Sequence, residues 1–454
     1  MKKVLASLVV AALMVCHVPQ LAAEDTETEP RYREKKNYLL GFGGMALSNL
    51  ALFSINKYIG HAEFSRVSSK SIYKNLTGPW QWDSSTFHVN QFGHPYQGYT
   101  YYTAGRANNL NALESTLLAA LGSYTWEVFA ERVTAATNDF IATTLGGVSL
   151  GEIFHRIYLD TYTDHRIIAS LVSPMDAAND LVNGRKQRPT HSKIKSLTFN
   201  FTSGYRVLDD RRNNEHYSKN SYHTVAAGFG LDLRYGDPFV RRTKSIFDHF
   251  DLSAGIEGGY AWYDSYIVAD GVLFSITPKQ GGPSWTSYGL NLHYDYYSNQ
   301  LMDFSGNSVS FSIQKERPDS EGISYRLKAD AGALLFGAAS FTKNELQPEL
   351  KKQMMRMYGV GGMAKFSVDF MFPVGTTVTA RTAHYYMIIL PETVPDSEGT
   401  VLYNISSLSI KQRVNSTMSA GAISSFAWKK TRHDHIPDHD KMLYKISWFV
   451  EQNL

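Results

Sequence analysis

Hydrophobic positions along this chain follow two different periods. From about residue 36 to 182 the apolar spacing is helical or uniformly apolar. The run LLGFGGMALSNLALFSINKYIG (39–60) is long and weakly polar. LNALESTLLAALGSYTWEVFAERV (110–133) sets Leu113, Leu117, Leu121, Tyr124 and Val128 on one helical face. Asn138-Asp139 is a helix-capping pair for a further helix over roughly 139–158. Thr143, Gly147 and Gly151 give that helix a small-residue stripe, along which another helix backbone can approach closely.

After the polar, basic stretch 183–195 the period becomes two. Leu197, Phe199 and Phe201 alternate with Thr198, Asn200 and Thr202, and Val225 to Tyr235 alternate in the same way. Phe250, Leu252, Ile256, Tyr260 and Trp262 read as one face of a single strand. About twelve such segments follow one another, each roughly ten to sixteen residues long, which suits a tilted bilayer crossing of about 9–11 residues plus extensions. The opposite face carries Asp232, Glu257, His293, Asp295, Lys328, Asp330, Lys365 and Asp369, a set too charged for a sandwich core. Tight connections at RVNST and PVGTT alternate with long ones at 208–222, 340–356, 391–399 and 431–440. The pattern predicts an α + β membrane protein: an N-terminal helical domain followed by an antiparallel transmembrane β-barrel of about twelve strands. The long stretch 236–248 falls where a short turn is expected.

The first residues set the compartment. Lys2 and Lys3, the apolar run Val4–Val18 and the small residues Ala22 and Ala23 form a secretory signal peptide, with cleavage expected after Ala23. The single cysteine, Cys16, falls inside it, so disulfides and thiolate metal sites are excluded from the mature chain. The resulting division is signal peptide 1–23, acidic flexible segment 24–35, helical domain 36–182, basic linker 183–195 and barrel 196–454. Charge is nearly balanced, 45 basic against 42 acidic residues, which gives no broad attraction to nucleic acid. Aromatic residues make up 13% of the chain, with 28 tyrosines, the type that favours membrane interfaces. Localisation to the outer membrane of a Gram-negative cell is expected, with outer-membrane lipid and the barrel-insertion machinery as partners.

Chemistry concentrates in NQFGHPYQGYTYYTAGR (90–106), GSYTWEVFAE (122–131) and TNDFIATTLGGVSLGE (137–152). His94, Glu127 and Asp139 are the candidate catalytic residues, and Arg106, Glu131 and Asn138 the candidate binding residues. A His, two Glu and an Asp supply an acid/base pair, or hard oxygen and nitrogen ligands for a metal. The same residues equally suit a satisfied polar network that fixes helix packing. No H-E-x-x-H spacing, serine elbow or phosphate-cradling loop accompanies them, and no cofactor is specified. A second cluster, RHDHIPDHD (432–440), reads as a polar loop or a transition-metal site.

The spaced residues Asn90, His94, Pro95 and Gly98, then Trp126-Glu127, Asn138-Asp139, and Gly146, Gly147, Gly151 and Glu152 resemble the signature of an uncharacterised bacterial domain-of-unknown-function family. That resemblance covers about residues 85–157 and implies an outer-membrane protein without implying an activity. Two functions are therefore expected. In one, the helical domain plugs, gates or braces the barrel in a binding, transport or structural role, with a small molecule or lipid as ligand. In the other, the protein is an envelope lipid-modifying enzyme using the His/Glu/Asp cluster.

Overall fold

The computed structural model describes residues 35–454 except 84, 186–192, 213–221, 260–261, 280–281, 300–301, 319–321, 343–353, 392–397 and 435–437. The expected signal peptide and nearly all of the expected acidic segment lie outside the described residues. The chain divides into two compact units between Lys193 and Ile194.

The first unit holds seven α-helices among the described residues: α1 Tyr38–Ser54, α2 Ser69–Thr77, α3 His94–Ala107, α4 Ala112–Phe129, α5 Thr137–Thr161, α6 Arg166–Val172 and α7 Pro174–Val182. Local chemistry explains the starts. The Asn111 side chain accepts from the Glu114 amide while the Glu114 carboxylate accepts from the Asn111 amide, a capping box at the head of α4. α3 continues directly from a π-helical turn, Val89–Gly93, and Pro95, with no N–H to donate, stands where the two helical patterns meet.

The small-residue stripe of α5 packs against α3 backbone to backbone. A Cβ on Gly98 would lie 1.8 Å from the Thr143 carbonyl oxygen, and one on Gly147 2.5 Å from the Gly98 carbonyl carbon. Higher along both helices Gly151 meets Tyr102, so α3 and α5 run side by side in the same direction.

Two expectations are corrected in this unit. On α4 the predicted apolar face points outward: Leu117, Leu121 and Tyr124 are exposed, and only Val128 of that set is buried. The buried face is Ser115, Leu118, Ala119, Gly122, Ser123, Trp126 and Glu127. Small residues win because they permit close approach: a Cβ on Gly122 would sit 2.6 Å from the Tyr101 ring. The helix beginning at 137 is capped by Ala136, with no side-chain cap; Asn138 and Asp139 lie inside its first turn.

The unit as a whole has the polarity of α4. Leu39 on α1, Ile167 and Leu171 on α6 and Leu181 on α7 are each more than three-quarters exposed, at 82%, 79%, 77% and 77%. The α1 segment, continued through a π-turn to Ile59, is by length and composition long and apolar enough to cross a membrane, and of its residues Gly41 and Met45 alone are buried.

The second unit is a closed antiparallel barrel of twelve strands: β1 Ile194–Arg212, β2 Tyr222–Tyr235, β3 Phe250–Gly259, β4 Trp262–Ile276, β5 Trp285–Ser298, β6 Phe304–Arg317, β7 Ser324–Thr342, β8 Met354–Met371, β9 Thr376–Ile389, β10 Gly399–Arg413, β11 Met418–His433 and β12 His439–Asn453. β1 pairs with β12 from Thr198↔Asn453 to Arg212↔His439, so no edge remains. The expected inner-face charges do share one face, since Asp232 lies opposite Ser253, Asp251 opposite Asp270 and Asp270 opposite His293. Phe201, Val225, Phe229, Ile256, Phe311 and Trp448 point the other way and are exposed.

The stretch through Trp262 is not one strand. β3 stops at Gly259 and pairs back on β4 with Gly259↔Trp262, although the period-two alternation runs on through Gly258-Gly259. Several expected loops are shortened by strand extension, as β7 runs on to Thr342 and β8 starts at Met354. The misfit 236–248 folds back along β4, with the Phe247 amide donating to the Val272 carbonyl at 2.5 Å and Thr243 to Ser275 at 3.1 Å.

Side chains of the barrel strands reach one another across the lumen. Arg234 on β2 reaches Asp369 on β8, diametrically opposite, at 3.2 Å. Lys328 on β7 reaches Asp251 on β3 at 3.2 Å, and Lys365 on β8 reaches Asp270 and Asp295 at 2.7 and 2.6 Å. Toward the end that bears the β1–β2 and β11–β12 connections, an apolar plug forms. Phe304 on β6 stacks on Tyr403 on β10 with centroids 4.7 Å apart, surrounded by Met302, Met357, Met387 and Val401.

Candidate functional site

Close packing of α3 on α5 places His94 and Asp139 together, each one helical turn before the point where Gly98 lies against the Thr143 carbonyl. His94 Nε2 lies 3.4 Å from Asp139 Oδ2, and His94 Nδ1 lies 3.3 Å from the Thr143 hydroxyl. Glu127, fully buried in the last turn of α4, joins them: its Oε2 accepts the Ala136 amide at 2.7 Å, and its Oε1 meets no donor among the described residues. One ligand atom from each of His94, Glu127 and Asp139 falls within 4.8 Å of the others.

The binding candidates divide. Asn138 is buried between two partners: its Oδ1 accepts the Asp83 amide at 2.6 Å and its Nδ2 donates to Asp139 Oδ1 at 2.6 Å. Glu131 lies just past the end of α4, where its carboxylate accepts from Trp126 Nε1 at 2.8 Å. Arg106 belongs elsewhere. Its Nε and Nη2 pair with the two Glu152 oxygens at 2.8 and 3.2 Å, and Arg156 Nε and the Tyr102 hydroxyl also reach Glu152, at 2.9 and 2.8 Å.

The two clusters differ in charge logic. Burial would raise the Glu152 carboxyl, but Arg106 and then Arg156 override it and hold it at about 2. Glu127 is pushed well above the usual carboxylate range by burial and then by the Glu131 charge. Asp139 is pushed well above it by burial and then by Glu127, and burial raises Glu131 to about 7. Burial also lowers His94 to about 4, so its imidazole is neutral at neutral pH. The site thus holds proton-bearing carboxyls beside a neutral imidazole, the pairing general acid–base chemistry requires.

Three features stand outside the sequence reading. Asp83 faces the acidic cluster from the segment before α3 and contributes to the raised carboxyls. Arg156 is the second partner of Glu152, and its four-residue spacing on α5 is a legible signal. His155 Nδ1 pairs with the buried Asp176 at 2.8 Å, which also accepts from the Ser173 hydroxyl at 2.6 Å; no sequence spacing announces this contact. In the 432–440 cluster, Arg432 pairs with Asp440 and Asp438, while His435 and the His439 side chain lie outside the described residues.

Residues 79–175 match the family model described as "Domain of unknown function (DUF3943)", which encloses every residue of the acid–base cluster and of the Glu152 cluster. No curated protein matches the chain. Among solved structures it is similar to the KdgM porin, at 9% identity over 55% of this chain and 98% of that one, with a TM-score of 0.23. It is similar to an outer membrane channel from Pseudomonas putida F1, at 8% identity over 59% and 100%, with a TM-score of 0.30. The outer membrane channel DcaP of Acinetobacter baumannii gives 8% identity over 57% and 97%, with a TM-score of 0.25. Overlaps this low carry no functional argument.

Proposed function

We propose that the protein is an outer-membrane enzyme in which the barrel is a sealed anchor and the helical unit modifies envelope lipid. The barrel half of the reading is supported by an exterior of exposed Phe, Val, Ile and Trp side chains around a charged interior, an arrangement stable only with hydrocarbon outside. Ion pairs and stacked rings crossing the lumen favour an anchor over a passage.

The observation that carries the enzymatic half is the inverted polarity of the helical unit. Its surface presents Leu39, Leu47, Leu117, Ile167 and Leu171, while its interior holds His94, Glu127 and Asp139. Large exposed apolar surface on a folded unit marks an interaction face. A unit seated with this apolar surface in the periplasmic leaflet stands among lipids, and substrate reaches the buried acid–base group by local opening of the helices that cover it. His94 serves as the base, and Glu127 and Asp139 as proton donors. Asn138 orients Asp139, and the Arg106–Glu152–Arg156 cluster braces α3 on α5.

The test is a comparison of envelope lipids between a deletion strain and strains complemented with wild type or Glu127→Gln at equal protein level. Restoration by wild type alone supports the reading. An unchanged lipid profile on deletion removes it.

A further inference from the structure

The donor atoms of the acid–base site are disposed as a cation site is disposed. Each of the three residues is fixed through the atom it does not offer. Thr143 meets His94 Nδ1, Asn138 donates to Asp139 Oδ1, and the Ala136 amide donates to Glu127 Oε2. Second partners of this kind set the orientation of metal ligands. What remains is His94 Nε2, Asp139 Oδ2 and Glu127 Oε1, the last of these buried and without a donor among the described residues.

The spacing is informative. The 3.4 Å between His94 Nε2 and Asp139 Oδ2 exceeds the roughly 2.7–2.9 Å of a charge-assisted hydrogen bond. Two ligands about 2.0–2.1 Å from one tetrahedral ion sit about 3.3 Å apart. The charges point the same way. The charged groups acting on Glu127 and Asp139 are each other, Glu131 and Asp83, all acids. The contrast is Glu152 in the same unit, which is matched by two guanidinium groups.

We propose that His94, Glu127 and Asp139 bind one divalent transition-metal cation of the Zn²⁺ type, leaving a coordination position for water. An imidazole in the ligand set selects such ions over Mg²⁺ and Ca²⁺, which favour all-oxygen shells. With three protein ligands the fourth position is open, as in catalytic rather than structural zinc sites.

With the ion bound, His94, Glu127 and Asp139 act as ligands and the proton-transfer role assigned to them above passes to the coordinated water; the inference rests on the enzymatic reading only for the use of the ion. Lipid turnover by ion-free protein keeps that reading and ends this one; an ion bound without any lipid change does the reverse.

The test uses the full chain in detergent, with His433, His435 and His439 replaced by Ala to remove the loop histidines. The protein is stripped with chelator, loaded with Zn²⁺, desalted and assayed for metal. One equivalent per chain is expected, falling at least tenfold in each of His94→Gln, Glu127→Gln and Asp139→Asn. No retained ion in the chain with an intact site overturns the proposal, as does retention that survives all three substitutions. Because a variant can lose metal by failing to fold, X-ray absorption at the zinc edge of the loop-substituted chain decides independently. A shell of nitrogen and oxygen with one imidazole is expected, and a shell without imidazole overturns the assignment.

Discussion

His94 Nε2 faces Asp139 Oδ2 at 3.4 Å because, one turn further along the same two helices, Gly98 lets the α3 backbone touch that of α5 at Thr143. The glycine contact is therefore the structural condition of the site. A methyl group at Gly98 meets the Thr143 carbonyl oxygen at 1.8 Å, a distance no rotamer change relieves. Gly98→Ala should part α3 from α5, destabilise the helical unit by about 1–3 kcal/mol and separate His94 from Asp139. Limited proteolysis checks this. Resistance equal to wild type would show that the helices do not pack as described.

Arg106 and Glu127 should behave oppositely. Arg106→Ala leaves the fully buried Glu152 with Arg156 as its one remaining guanidinium, and breaking a buried pair in this way costs roughly 3–5 kcal/mol. Glu127 has no cationic partner among the charges acting on it, so Glu127→Gln should leave unfolding of the ion-free helical unit unchanged or shifted upward. Thermal unfolding of the two variants side by side tests the contrast. Equal losses would place both residues in one paired network.

Acid stability follows from Glu152. Its folded-state value of about 2 lies below the ordinary 4.5, so the carboxylate form is favoured by folding. The stabilisation, about 3 kcal/mol, is fully present above pH 4.5 and is lost as pH falls through 2. The helical unit should lose near-ultraviolet circular dichroism within that window, and Glu152→Gln should flatten the dependence there. A wild-type profile indifferent to pH between those limits would contradict the pairing.

For the barrel, two measurements bear on the closed lumen. The protein should migrate faster on a gel when unheated, since an edgeless barrel resists detergent until boiled. In planar bilayers the full chain should give no wide conductance. Arg234→Ser combined with Asp369→Ser, which deletes a contact across the full diameter, should raise leak without abolishing the gel shift. An open channel in the wild type would overturn the sealed anchor.

The barrel was legible because period two is local: Leu231, Asp232 and Leu233 declare opposite faces wherever the strand lies. Its exceptions arose at glycines, as at Gly258-Gly259, where alternation continues through a hairpin. The helical unit was legible in its elements and its polar residues but not in its polarity. Leu117 and Leu121 form an ordinary apolar stripe, and a stripe alone does not say whether protein or lipid covers it. Arg106 went with Glu152 rather than with Glu127 because α3 and α5 run parallel, a relationship carried by tertiary packing and absent from spacing.

The central claim is that the helical unit acts on lipid through His94, Glu127 and Asp139. The most direct measurement reconstitutes the purified full chain, loaded with Zn²⁺ or left ion-free, into vesicles of outer-membrane lipid and follows lipid masses with time. Wild type should convert at least one lipid species, and Glu127→Gln, folded and inserted to the same extent, should not. No conversion by wild type in either state, or equal conversion by both proteins, would contradict the account.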